Sequence, residues 1–206
     1  MKPTQEKLSE IKDAAQQWAI DRLQDTNTVI CDTETTGLPS KDPDTEICQL
    51  CLSDIKGRPL FSMLLKPNKP MSDEVIGIHG ISNEQVQHQP MFPQIAKMVE
   101  FVLKDKHIVC YNASFDVKLL WGLFKKYNQP VPQVSGITCA MEKYSEWKGE
   151  WNEKKDSLRW HKLPNLSGMV AHDAYSDCIS TIKVMELMAG KHNREEITAE
   201  SIDLNF

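Results

Sequence analysis

The chain has 206 residues, and 24 Lys and Arg stand against 29 Asp and Glu for a formal net charge of −5. With 40% hydrophobic and 26% charged residues it is globular in composition, which excludes a disordered, collagenous or disulfide-stapled chain. The acidity also excludes a protein that coats nucleic acid through bulk positive charge.

Apolar residues at Leu8, Ile11, Ala14, Ala15, Trp18, Ala19 and Leu23 follow a three-four spacing that predicts an amphipathic helix over 5–24. Thr28–Cys31 reads as a buried strand, followed at once by Asp32-Thr33-Glu34-Thr35-Thr36-Gly37-Leu38. Residues 46–53 and 59–66 predict two further strands joined at Lys56-Gly57-Arg58. After a proline-bounded stretch comes Ile78-His79-Gly80-Ile81. Helical periodicity returns at 94–103, His107–Tyr111 reads as a strand, and Asp116–Tyr127 as a helix that buries Leu119, Leu120, Leu123 and Phe124.

Residues 142–165 are polar and hold Trp147, Trp151 and Trp160, so they read as a loop or lid. Five basic residues against four acidic ones in 145–162 make a poor electrostatic funnel. Trp151 and Trp160 therefore read as cover for the core, with strand stacking as the alternative. A last helix runs from Asp173 to Gly190. Strands come first and helices alternate with the later ones, which predicts an α/β fold on a mixed sheet. No run approaches 18 apolar residues and no apolar core of signal-peptide length opens the chain, so the expected location is cytoplasmic. The six cysteines sit in apolar runs and read as buried thiols, the pair Cys48 and Cys51 included.

Asp32 and Glu34 are two apart at the end of the predicted strand. Their side chains share one face about 7 Å apart at the backbone, with Thr33 on the other. Two converging carboxylates repel unless a hard cation such as Mg²⁺ or Mn²⁺ lies between them; the alternative is a solvated turn. Asp116 opens a helix, where it is either a cap or a metal ligand. His172 and Asp177 are five apart, about 140° off-register on one helix. They can converge only if His172 lies in the loop and Asp177 on the helix.

Taken in order, DTETTGL at 32–38, IHGIS at 78–82, YNASFD at 111–116 and HDAYSD at 172–177 resemble the motifs of the DnaQ-like DEDDh exonuclease superfamily. Tyr111 stands where such proteins more often have His. The resemblance implies a ribonuclease H-like fold, a central mixed sheet flanked by helices. It divides the chain into an N-terminal helical extension at 1–27, an exonuclease domain at 28–190 and a polar tail at 191–206. It further implies a metal-dependent 3′–5′ exonuclease acting on the 3′ end of DNA, in proofreading or repair. RNA trimming and non-catalytic end binding are the alternatives. Asp32, Glu34, Asp116 and Asp177 would hold two Mg²⁺ or Mn²⁺ ions, and His172 would be the general base. Leu38, Glu74, His79 and Phe115 match positions near the terminal nucleotide; for His79 a backbone-bonded turn role is equally open. The final Ser201-Ile202-Asp203-Leu204-Asn205-Phe206 resembles short peptides that dock on a sliding clamp, which would bring contact with a clamp or polymerase; simple packing of the tail on its own domain is the alternative.

Overall fold

The computed structural model describes residues 2–191. The expected docking peptide at 201–206 lies outside them.

A five-stranded sheet organises the chain. Its strands are β1 (Thr28–Thr35), β2 (Ile47–Asp54), β3 (Pro59–Leu64), β4 (His107–Cys110) and β5 (Gly136–Cys139), in the order β3-β2-β1-β4-β5. β1 pairs antiparallel with β2 and parallel with β4, so the sheet is mixed as expected. Alternate residues of the central strands feed two separate cores, the period of two at work. Val29 and Cys31 face α4 (Phe92–Leu103) and α5 (Ala113–Lys126), where Val99, Leu103, Leu120 and Phe124 are fully buried. Ile30 and Val109 face the other side, against α1 (Gln5–Gln24), α6 (Ala140–Lys148) and α7 (Ala174–Met188). On α1 the buried pair Ala15 and Ala19, four apart, leaves the helix backbone free to approach α6 and α7 closely. All six cysteines are free and buried.

Several expectations are corrected. β1 runs four residues beyond Cys31, so Asp32 and Glu34 lie within a paired strand and not in a turn after it. β2 explains this, because Ile47–Cys51 continues the ladder opposite them. The segment expected to be a loop at 142–165 begins inside α6 and continues into a hairpin of β6 (Trp151–Asn152) and β7 (Ser157–Leu158). Its helical stripe, Ala140, Tyr144 and Trp147, is short and aromatic, and polar residues between hide the period. Trp147 is the tryptophan that enters the core, whereas Trp160, read as core cover, is 66% exposed. Two short helices, α2 (Asp73–His79) and α3 (Asn83–Val86), fill the proline-bounded stretch. Each starts on a serine cap, Ser72 and Ser82, a signal present in the sequence. β5 is a strand that the sequence pattern does not announce; Gly136–Cys139 is extended by parallel pairing with His107–Cys110. α5 begins three residues before Asp116, which places that carboxylate in the first turn.

Candidate active site

The site lies where β1 carries its acidic residues past the end of β4. Asp32 and Glu34 point to the α7 face of the sheet, Glu34 opposite Gln49 in the antiparallel ladder. Asp177 descends from the first turn of α7, and His172 stands just before that helix with its ring exposed. The helix starts after His172, as the off-register spacing required. Single ligand atoms of Glu34, His172 and Asp177 lie within 4.8 Å of one another, a group that could hold a metal ion. Asp116 approaches from the opposite face on α5, and the Thr33 hydroxyl donates to its Oδ1 at 2.7 Å. Thr33 therefore points away from Asp32 and Glu34, as the strand period dictates, and its hydroxyl reaches the carboxylate on that side.

Burial and mutual repulsion set the electrostatics. Removal from water, followed by the charges of Asp116, Asp177 and Glu34, holds the Asp32 carboxyl well above the usual carboxylate range. Burial and then Asp177 and Asp116 push Glu34 to about 8. Burial raises Asp116 to about 7 against the lowering effect of its bond from Thr33. Asp177 is also raised, chiefly by burial, while His172 opposes the shift. Four oxygen-donor side chains that destabilise one another's charge suit hard divalent cations, which would relieve both desolvation and repulsion.

Two residues that the motif pattern passed over organise the loop before α7. Gln49 donates from Nε2 to Asp173 Oδ2 at 2.8 Å and accepts from the Ala174 backbone N–H at 3.0 Å. Asp173 uses its other oxygen to cap the helix, accepting from the Ser176 N–H at 3.0 Å. Its Asx cap was legible in the sequence; its fork with Gln49, 124 residues away, was not. Tyr175, two residues before Asp177, donates its hydroxyl to the Gly57 carbonyl at 3.1 Å. That bond commits it to the β2–β3 hairpin.

The substrate candidates line one cleft of about 300 Å³ beside Glu34, which Leu38, Glu74, His79 and Phe115 share with Ile78 and Lys41. Leu38 is half exposed on its wall. The His79 ring is buried and accepts from the Ile81 N–H at 3.0 Å, with Nε2 3.8 Å from Cys48 Sγ. The turn role is thus occupied, although the ring also borders the cleft.

A mixed sheet with helices on both faces and acidic residues gathered from β1, α5 and α7 is the architecture of a ribonuclease H-like nuclease. The exonuclease family model RNase_T matches residues 29–185, and the chain belongs to that family. It is similar to the uncharacterized exonuclease CP81 of Escherichia phage 186, 32% identical over 191 residues, which is 87% of this chain and 94% of the relative. The epsilon subunit of DNA polymerase III from Pasteurella multocida is 31% identical over 112 residues, 51% of this chain. That match spans 44% of the subunit, less than half its length. Among solved structures, the nuclease domain of 3′hExo, a DEDDh family member bound to rAMP, superposes with a TM-score of 0.60 at 20% identity. The superposition covers 79% of this chain and 92% of that one. Exonuclease I of E. coli in complex with a 5cy-dA13 oligonucleotide gives 0.62 at 18% identity, over 84% and 42%.

Proposed function

We propose that this exonuclease works from the 3′ end of DNA, single-stranded or frayed, and releases nucleoside monophosphates. The observation that carries the reading is the convergence of Asp32, Glu34, Asp116 and Asp177 from three elements onto one strand end, each held above its ordinary pKa by burial and by its neighbours. Asp32, Glu34 and Asp177 would hold one Mg²⁺ or Mn²⁺ and Asp32 and Asp116 a second. Such a pair supplies a water nucleophile at neutral pH and stabilises charge on the leaving 3′ oxygen.

The chain's own residues do the rest. His172, exposed at the rim and close to Glu34 and Asp177, takes the proton from the attacking water and returns it to solvent. Thr33 keeps Asp116 oriented and favours its ionised form. The apolar side chains of Leu38, Ile78 and Phe115 give the terminal base a wall to rest on. The epsilon subunits of DNA polymerase III among the relatives, together with DTETTGL in the first motif, favour DNA over RNA. A cytoplasmic role in proofreading or repair follows from that reading.

Digestion of 3′- and 5′-labelled DNA and RNA oligomers in Mg²⁺, Mn²⁺ and EDTA tests the reading. Stepwise loss of the 3′ label from DNA, abolished by EDTA, is expected. Preferential digestion of RNA supports the trimming alternative, and release from the 5′ end rejects the proposal.

A further inference from the structure

Trp160 is exposed over two thirds of its surface, yet the backbone that carries it is anchored on both sides. Before it, the Arg159 N–H donates to the Glu150 carbonyl at 2.8 Å and closes the β6–β7 hairpin. After it, the buried Tyr111 hydroxyl shares its proton between the His161 and Lys162 carbonyls, both at 3.0 Å. The His161 ring stands edge-on against Tyr144, centroids 5.6 Å apart, and Tyr144 stacks on the buried Trp147. An indole kept in water on a fixed backbone forgoes the burial that usually accompanies so large an apolar side chain.

Its place in the fold gives it a use. β4 pairs in parallel with β1 up to Val109 opposite Ile30; two residues further along each chain stand Tyr111, just past the end of β4, and Asp32 in β1. The tyrosine that holds the Trp160 segment therefore sits at the same sheet end as the carboxylates. The chain then runs from Lys162 through 163–171 directly into His172. Arg159 and Lys162 flank Trp160 directly, Arg159 with its Nε 3.9 Å from the Glu150 carboxylate, within a segment 145–162 of five basic and four acidic residues.

We propose that Trp160 is a stacking platform for a base of the single strand upstream of the scissile end, with Arg159 and Lys162 beside the phosphates and Tyr111 as the residue that positions the platform. The inference rests on the nuclease reading of the carboxylate cluster. A base stacked on an exposed indole contributes affinity without reading sequence, because every base has a π-face.

The test compares KM for oligothymidylates of about 3 and about 12 nucleotides, the longer one being long enough to span a typical single-strand site. Trp160→Ala is expected to raise KM for the longer oligomer about tenfold and to leave kcat and the short substrate unchanged. Trp160→Phe restores most of the loss. Tyr111→Phe, which keeps the ring and removes the donor, shifts KM in the same length-dependent direction. Anisotropy of the labelled longer oligomer in EDTA reads the same contact without turnover. If the native protein degrades neither length, the nuclease reading fails, and the anisotropy comparison still decides the role of Trp160. Equal KM and equal affinity for Trp160→Ala and the native chain overturn the proposal. A changed sedimentation coefficient with unchanged oligomer affinity overturns it too, since a second copy would then cover the indole.

Discussion

Gln49 grips Asp173 and Ala174 at the same time, one bond of 2.8 Å from its amide nitrogen and one of 3.0 Å to its amide oxygen. Through β2 its backbone is in register with Glu34, so a single side chain ties the strand bearing the carboxylates to the loop bearing His172. His172 itself has φ +57, a left-handed conformation that costs a non-glycine residue about 1 kcal/mol or more. The fork is one of the contacts that hold the backbone there. Gln49→Leu is expected to lower kcat about 10- to 100-fold and to cost about 1–3 kcal/mol of stability through the unpaired Ala174 N–H and Asp173 oxygen. Steady-state kinetics beside thermal denaturation checks both, and an unchanged kcat would remove Gln49 from the mechanism.

His172 sits near enough to Glu34 and Asp177 to share a metal with them, so its role as base needs separating from a role as ligand. His172→Ala should reduce single-turnover cleavage about 100-fold or more while Mn²⁺ affinity, read by calorimetry, stays close to that of the native chain. A parallel fall in both would make the imidazole a ligand.

Thr33 lies between the two acids of the first motif and serves the third. Its hydroxyl bond favours the ionised form of Asp116, against a burial that lifts this carboxyl to about 7. Thr33→Val removes a bond to a charged acceptor worth about 1.5 kcal/mol, which corresponds to about one pH unit. The acid limb of the kcat/KM profile at fixed Mg²⁺ should move up by about that amount. A coincident profile for the two proteins would contradict the assignment.

The raised carboxyls also set how the metal-free protein responds to pH. Glu34 moves from 4.5 to about 8 on folding and Asp116 from 3.8 to about 7. Between those limits the folded chain keeps protons that the unfolded chain has released, so stability falls as pH rises through the window. Each such group contributes up to about 1.4 kcal/mol per pH unit. Carboxyls held low by partners, such as Asp54 beside Arg58, act below this range and with the opposite sign. In EDTA, Tm is expected to drop between pH 5 and pH 8. Mg²⁺ or Mn²⁺ should reduce the drop by favouring the ionised forms, and a Glu34→Gln, Asp116→Asn double variant should make it shallower without metal, leaving the share of Asp32 and Asp177. A flat metal-free profile for the native protein would mean that the carboxylates do not repel as closely as the fold implies.

The linear chain determined the parts of this protein that depend on neighbours in sequence. Period-two placement put Asp32 and Glu34 on one face, three-four periodicity marked α1, α5 and α7, and four ordered motifs carried the family. The five-apart spacing of His172 and Asp177 even required a helix start between them, where α7 begins. Tertiary structure decided what depends on partners distant in sequence. Only β2 shows that β1 continues through the acids, because ladder pairing is settled by the strand opposite. Only the packing of α6 separates Trp147, which the core takes, from Trp160, which it leaves in water. Gln49 with Asp173, Thr33 with Asp116 and Tyr111 with His161 join residues 50 to 124 positions apart, by hydrogen bonds whose partners no local pattern encodes. Part of the chain's net negative charge is concentrated at one strand end, where acidic side chains converge as hard cations require.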